Sequence, residues 1–150
     1  MINRFERFSV AMMEIFHYWH KITADEMEKI GLKGTHSTYL SVLSHYEEGI
    51  TATHLGDLCG KDKADVSRTV ALMEKKGLVT KEGSGTNHYR ARIILTDEGK
   101  RVAAFVRERA CLAVETAGKG LSDSERAVFY NSLERIAENL ASLSQEGLPE

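Results

Sequence analysis

Between positions 61 and 92 the chain carries eight Lys and Arg against four Asp and Glu. The flanks are acidic: five against eight over 1–60, and seven against ten over 93–150. A basic middle between acidic ends is chemistry for holding anions at one place. Lys61, Lys63 and Arg68 lie close together in sequence, and Arg90 and Arg92 follow the polar pair Asn87-His88. Ammonium and guanidinium groups suit phosphate oxygens, and an arginine can also pair with guanine O6 and N7.

Other side chains could do other chemistry. His17 and His20 are three apart on one predicted helix, and His36 and His45 belong to the next. Neutral imidazole binds zinc, but a structural zinc site needs four ligands and no acid or thiol is partnered with these rings, so no metal site is expected. Cys59 and Cys111 form neither a disulfide framework nor a CxxC pair. Cys59 sits at an apolar helix position and is expected to be buried and inert, whereas Cys111 has Arg107 and Arg109 nearby. There is no GxSxG, no Gly-rich phosphate loop after a strand, no HExxH and no EF-hand pattern. Neither catalysis nor a cofactor is expected. The N-terminal residues are charged and no apolar run approaches the ~20 residues of a membrane span, so the expectation is a cytoplasmic protein with no membrane partner.

The elements that must position the cations are legible as hydrophobic periods. Phe5, Phe8, Met12, Ile15, Trp19 and Ile22 make one stripe and predict a helix over 3–23. Gly31 and Gly34 precede a second helix at about 35–47, closed by Glu48-Gly49. Thr51 is a candidate N-cap for a short helix over about 52–59, and Gly60 permits a tight turn. Asp62 can cap a fourth helix over 63–76, with Val66, Val70 and Met73 facing inward and Gly77 stopping it. Leu78–Thr80 and Arg90–Leu95 read as two strands around a polar, Gly-rich tip. Thr96 caps a long helix to about 117, and Ser122-Asp123-Ser124-Glu125 is a capping box for a last helix to about 144.

Two short helices joined by a tight turn and followed by a β-hairpin make a winged helix-turn-helix. With Val66, Val70 and Met73 inward, Lys61, Ala64, Arg68 and Lys75 fall on the opposite face, flanked by Asp65 and Ser67. The fold class is therefore mainly α with a small β-hairpin wing. The runs 62–68, Met73–Val79 and Ile93–Gly99 resemble the MarR family of bacterial transcriptional regulators. The resemblance is densest over 50–99 and extends over nearly the whole chain. It implies one domain over 1–150, with a DNA-binding module at 35–96 and helical dimerisation regions at 1–30 and 97–146. It also implies a homodimer on a pseudo-palindromic operator, acting as a repressor released by a small effector. Lys63, Ala64, Ser67 and Arg68 match positions where the family contacts DNA. The family's wing carries an Asp-Arg pair where this chain has Asn87 and His88, so the arginine that enters the minor groove is absent there.

The helices at the two ends carry more apolar surface than a small winged-helix core requires. Phe5, Phe8, Met12, Leu133, Ile136 and Leu140 are therefore expected at a dimer seam, since a palindrome requires matching protein symmetry. The resemblance places Trp19, His20, His36 and Tyr39 near an effector cleft, and aromatic walls with a few polar groups suit an aromatic or anionic ligand. Two alternatives remain at this level: a metal- or redox-responsive regulator, and a winged-helix dimer that binds protein in place of DNA.

Overall fold

The structure, a computed structural model, describes residues 3–83 and 90–149. Its elements run α1 (Arg4–Glu28), α2 (His36–Leu43), β1 (Ile50–Thr51), α3 (Ala52–Cys59), α4 (Lys63–Lys75), β2 (Val79–Glu82), β3 (Arg92–Leu95), α5 (Asp97–Ala117) and α6 (Asp123–Glu146). Two compact units result, one reaching Cys111 and one from Leu112 onward, with α5 passing from the first into the second. The mainly helical architecture with a small antiparallel sheet is the one expected.

Asn3 opens α1 with a capping box: its side chain accepts the Glu6 N–H at 2.9 Å, and the Glu6 carboxylate accepts the Asn3 N–H at 3.1 Å. The helix runs five residues past its expected end. No breaker intervenes before Gly31, and Met27, 2% exposed, anchors the added turn in the core. By contrast, α2 stops at Leu43, four residues short of expectation. There the Ser44 hydroxyl donates to the Ser41 carbonyl at 2.7 Å, and the chain continues in tight turns to Gly49.

A two-residue strand, β1, was not expected, being too short to show alternation. It makes the sheet three-stranded, in the order β1-β3-β2, all antiparallel. Ile50 faces Ile93 across one ladder, and Val79 faces Leu95 across the other. Gly49 turns the chain into β1 at φ +85°, and a side chain there would strike Ile94 and Arg92.

The core of the first unit is built from Tyr39, Leu40 and Leu43 of α2, Leu55 of α3, Val66, Val70 and Met73 of α4, and Val79, Ile93 and Leu95 of the sheet. The first turn of α5 presses on the start of β2. Thr96 fixes this corner: its hydroxyl accepts the Gly99 N–H at 3.0 Å and donates to the Gly77 carbonyl at 2.6 Å. A Cβ at Gly99 would collide with the Leu78 carbonyl oxygen, a backbone atom that is itself bonded to the Thr96 N–H. Gly99→Ala is accordingly expected to cost about 1–3 kcal/mol of stability through overpacking. Thermal unfolding measures it, and an unchanged midpoint would contradict this packing.

At the far end of α1, the Glu26 carboxylate accepts from Arg109 of α5 at 2.8 Å and from Lys29 at 2.5 Å. These two hydrogen bonds, Arg109 first, hold its pKa down to about 2. A depressed carboxylate stabilises the fold above its unfolded pKa and loses that contribution as pH falls through the folded one. The thermal midpoint of the wild type should therefore exceed that of Glu26→Gln above about pH 5, with the gap closing as pH falls from about 4.5 toward 2. A gap independent of pH would remove the ion pair from the account.

In the second unit, Ser122 and Glu125 form the expected capping box for α6, and Arg126 donates to Glu115 at 2.5 Å and to the Gly118 carbonyl at 3.0 Å. The 24 residues of α6 include none that is buried. Val128, Phe129, Tyr130, Ile136 and Leu140 are exposed, and Leu133 is half-buried.

Candidate nucleic-acid interface

The interface begins with the pair α3 and α4. Thr51 caps α3 by accepting the His54 N–H at 3.3 Å, and Leu55 roots the helix in the core. Gly60 ends it in the left-handed conformation at φ +64°, which glycine adopts without a Cβ penalty. The Lys61 N–H returns to the Gly56 carbonyl at 2.9 Å, and a Cβ at Gly56 would lie 3.0–3.1 Å from the Lys61 carbonyl and Val66. Gly56 is thus what lets α3 brace α4 so closely. A glycine inside a short helix is the sequence signal for this role, one that hydrophobic periodicity does not register.

Asp62 caps α4, accepting the Asp65 N–H at 2.7 Å. Val66, Val70 and Met73 are 3%, 2% and 0% exposed, which fixes the rotation of the helix. The opposite face is open, with Lys61, Lys63, Ala64, Ser67, Arg68 and Lys75 all exposed. The Arg68 side chain is open to solvent, 73% exposed. Small groups (Ala64 and Ser67) between cations are what a helix needs to lie close against base edges.

Asp65 behaves differently from its neighbours. Its Oδ1 accepts the Tyr39 hydroxyl at 2.6 Å and the Thr69 hydroxyl at 3.4 Å, while its Oδ2 lies 4.0 Å from the Arg68 guanidinium. The Tyr39 hydrogen bond holds the carboxyl below the usual aspartate range. On the other side of that bond, burial pushes the Tyr39 phenol up.

At the wing, Asn87 and His88 lie outside the described residues. Arg90 is exposed, and Arg92 donates to the Gly49 carbonyl at 3.2 Å, tying β3 to the turn before β1. Lys81 of β2 pairs with Glu74 of α4 at 3.7 Å. Lys81 also lines a cleft of about 570 Å³ between α3, α4 and the sheet, together with Lys61, Lys63, Ser67, Thr53 and Asp57. Lys81, Thr53 and Asp57 join this surface only through the packing of α3 and α4 on the sheet, which no local spacing reveals.

The histidines and cysteines occupy separate places. His20 hydrogen-bonds the Phe16 carbonyl at 2.8 Å and is exposed, as are His17 and Trp19. His36 is buried, its Nδ1 accepting the Lys33 N–H at 3.1 Å, and burial lowers its pKa. Among the described residues no group of three or more His, Cys, Asp or Glu is placed to hold a metal ion. Cys59 is half-buried and burial raises its thiol, while Cys111 is exposed. Among the described residues no helix is long and apolar enough to cross a membrane.

Residues 30–88 match the MarR family model, a span that holds α2, α3, α4 and β2. Over these residues the chain is similar to the MarR family. Solved MarR structures share its fold. One from Methanosarcina mazei Go1 is 22% identical, with a TM-score of 0.79 over 92% of this chain and 99% of that one. A MarR-type chain of Listeria monocytogenes complexed with 26-mer DNA is 20% identical, with a TM-score of 0.68 over 100% and 99% of the two chains. YybA of Bacillus subtilis (strain 168), an HTH-type transcriptional regulator, is 24% identical over 107 residues, 71% of each protein. The MarR family and these relatives are transcriptional regulators, not enzymes.

Proposed function

We propose that the chain is a homodimeric repressor that reads a pseudo-palindromic duplex with α4 and is released by a small effector. The observation that carries the reading is the two-sidedness of α4. One face is locked into the core by Val66, Val70 and Met73, and the other presents Lys61, Lys63, Ala64, Ser67 and Arg68 to solvent. A rigid helix with that face fits the major groove. Arg90 and Arg92, both exposed, extend the cationic surface beside the sheet.

The dimer is supported by apolar surface that the single chain leaves open. Phe5, Phe8 and Met12 of α1 are 73%, 39% and 37% exposed, and no residue of α6 is fully buried. Closed two-fold pairing would cover such faces and set two copies of α4 about 34 Å apart, one turn of DNA.

For the effector, Trp19 and His20 are the open members of the set read from the sequence. His36 and Tyr39 are buried and would respond to a ligand through the groups they hold. A second cleft, about 290 Å³, sets Lys100 and Arg107 beside an apolar floor of Leu43, Leu95 and Ala103, with Glu47 and His45 also on its lining. Cations over such a floor suit an aromatic or anionic molecule. The test of the reading as a whole is salt. Binding to duplex DNA should weaken steeply and linearly on a logarithmic plot, as neutralised phosphates take their counterions back. Affinity for the duplex indifferent to salt would contradict a phosphate-neutralising contact by this face.

A further inference from the structure

The Tyr39–Asp65 bond joins two residues that the sequence assigned to different tasks, one to an effector and one to DNA. Tyr39 is 0% exposed and Leu40 beside it is equally buried, so α2 holds the phenol rigidly. Its hydroxyl is 2.6 Å from the carboxylate, within the range of a charge-assisted O–H···O⁻ bond. Asp65 stands on the first turn of α4, three residues before Arg68 and within the same helix surface. An aspartate there would ordinarily repel a phosphate backbone. Here the phenol draws one of its oxygens toward α2, and the other is left to face the Arg68 guanidinium at 4.0 Å.

We propose that Tyr39 and Asp65 are positioning residues, a latch under α4 that restrains Arg68 and so sharpens discrimination between DNA sequences. This rests on the reading of α4 as the DNA-facing helix. An untethered arginine pairs with any phosphate in reach and adds to non-specific affinity. A tethered one reaches its base partner from a preset geometry, and the carboxylate beside it penalises complexes that bring a phosphate to the wrong place. The latch therefore acts on the ratio of specific to non-specific binding more than on affinity itself.

The experiment compares full-length wild type, Tyr39→Phe and Asp65→Asn on two probes: a duplex retained by the wild type from a random library, and a shuffled duplex of the same length. Asp65→Asn should bind the shuffled duplex about tenfold more tightly, with its salt slope steeper by about one as Arg68 takes up a phosphate. Its affinity for the selected duplex should change by less than about threefold, so the ratio collapses. Tyr39→Phe removes one oxygen and no charge. It should lower the ratio about threefold, and adding it to Asp65→Asn should change nothing further, because both act on one latch. A merely structural role would weaken both duplexes alike and lower the melting temperature in step. That outcome, or a wild-type ratio in Tyr39→Phe, overturns the proposal; Tyr39→Phe decides alone if Asp65→Asn does not fold. Failure of the wild type to retain any duplex would overturn the DNA reading itself, and shows before any variant is made.

Discussion

Arg68→Ala is expected to weaken binding to the selected duplex by about five- to 150-fold, the equivalent of roughly 1–3 kcal/mol for a lost base contact. The fold should barely notice. The Arg68 side chain is 73% exposed, and its surface ion pair with Asp65, at 4.0 Å, adds little to the stability of the fold, whatever it does to the direction in which the guanidinium points. Thermal unfolding should therefore stay within about 0.5 kcal/mol of wild type. That separation makes the variant informative: a large loss of affinity in an unaltered fold can only come from the surface that Arg68 presents. Fluorescence anisotropy on a labelled duplex measures it. Wild-type affinity in Arg68→Ala would remove α4 as the recognition helix, whatever its cationic face suggests.

A second large effect is expected from Leu133→Asp combined with Leu140→Asp. The two positions are seven apart and share a face of α6, a helix with no buried residue in the single chain. Covering a leucine is worth about 1.5–3 kcal/mol relative to leaving it exposed, and burying an unpaired carboxylate in its place costs far more. A seam made of α6 and its copy would not close over two such groups. The double variant should sediment as a monomer or fail to fold, and in either case lose the affinity that depends on engaging two half-sites at once. A dimer of wild-type mass by light scattering would place the seam elsewhere and leave the exposed face of α6 without an explanation.

Much of the fold was legible because its signals are local. The stripe from Phe5 to Ile22, the caps at Thr51, Asp62, Thr96 and Ser122, and the inward set Val66, Val70 and Met73 each depend on spacing within one or two turns. What escaped depends on tertiary contact. The strand β1 has two residues, and exists because Ile50 finds Ile93, more than forty positions away. The extra turn of α1 is held by Met27 entering the core, and the early end of α2 by the Ser44 hydroxyl, which takes up the Ser41 carbonyl. The same division runs through the site. The exposed face of α4 follows from the 100° step once its buried face is known. Asp65 was read as one more residue on that face, because its hydrogen bond to Tyr39 spans 26 positions and crosses from α4 to α2. Arg92 was read as a hand for phosphate, and the structure shows it also holding the Gly49 carbonyl.

The most direct test of the central claim is to present the purified full-length chain with a random double-stranded DNA library at moderate salt and sequence what it retains. The account predicts enrichment of an inverted repeat whose half-sites lie about one helical turn apart, the spacing that a two-fold dimer carrying two copies of α4 requires. A folded dimer that enriches no sequence, or enriches one without internal symmetry, would contradict it.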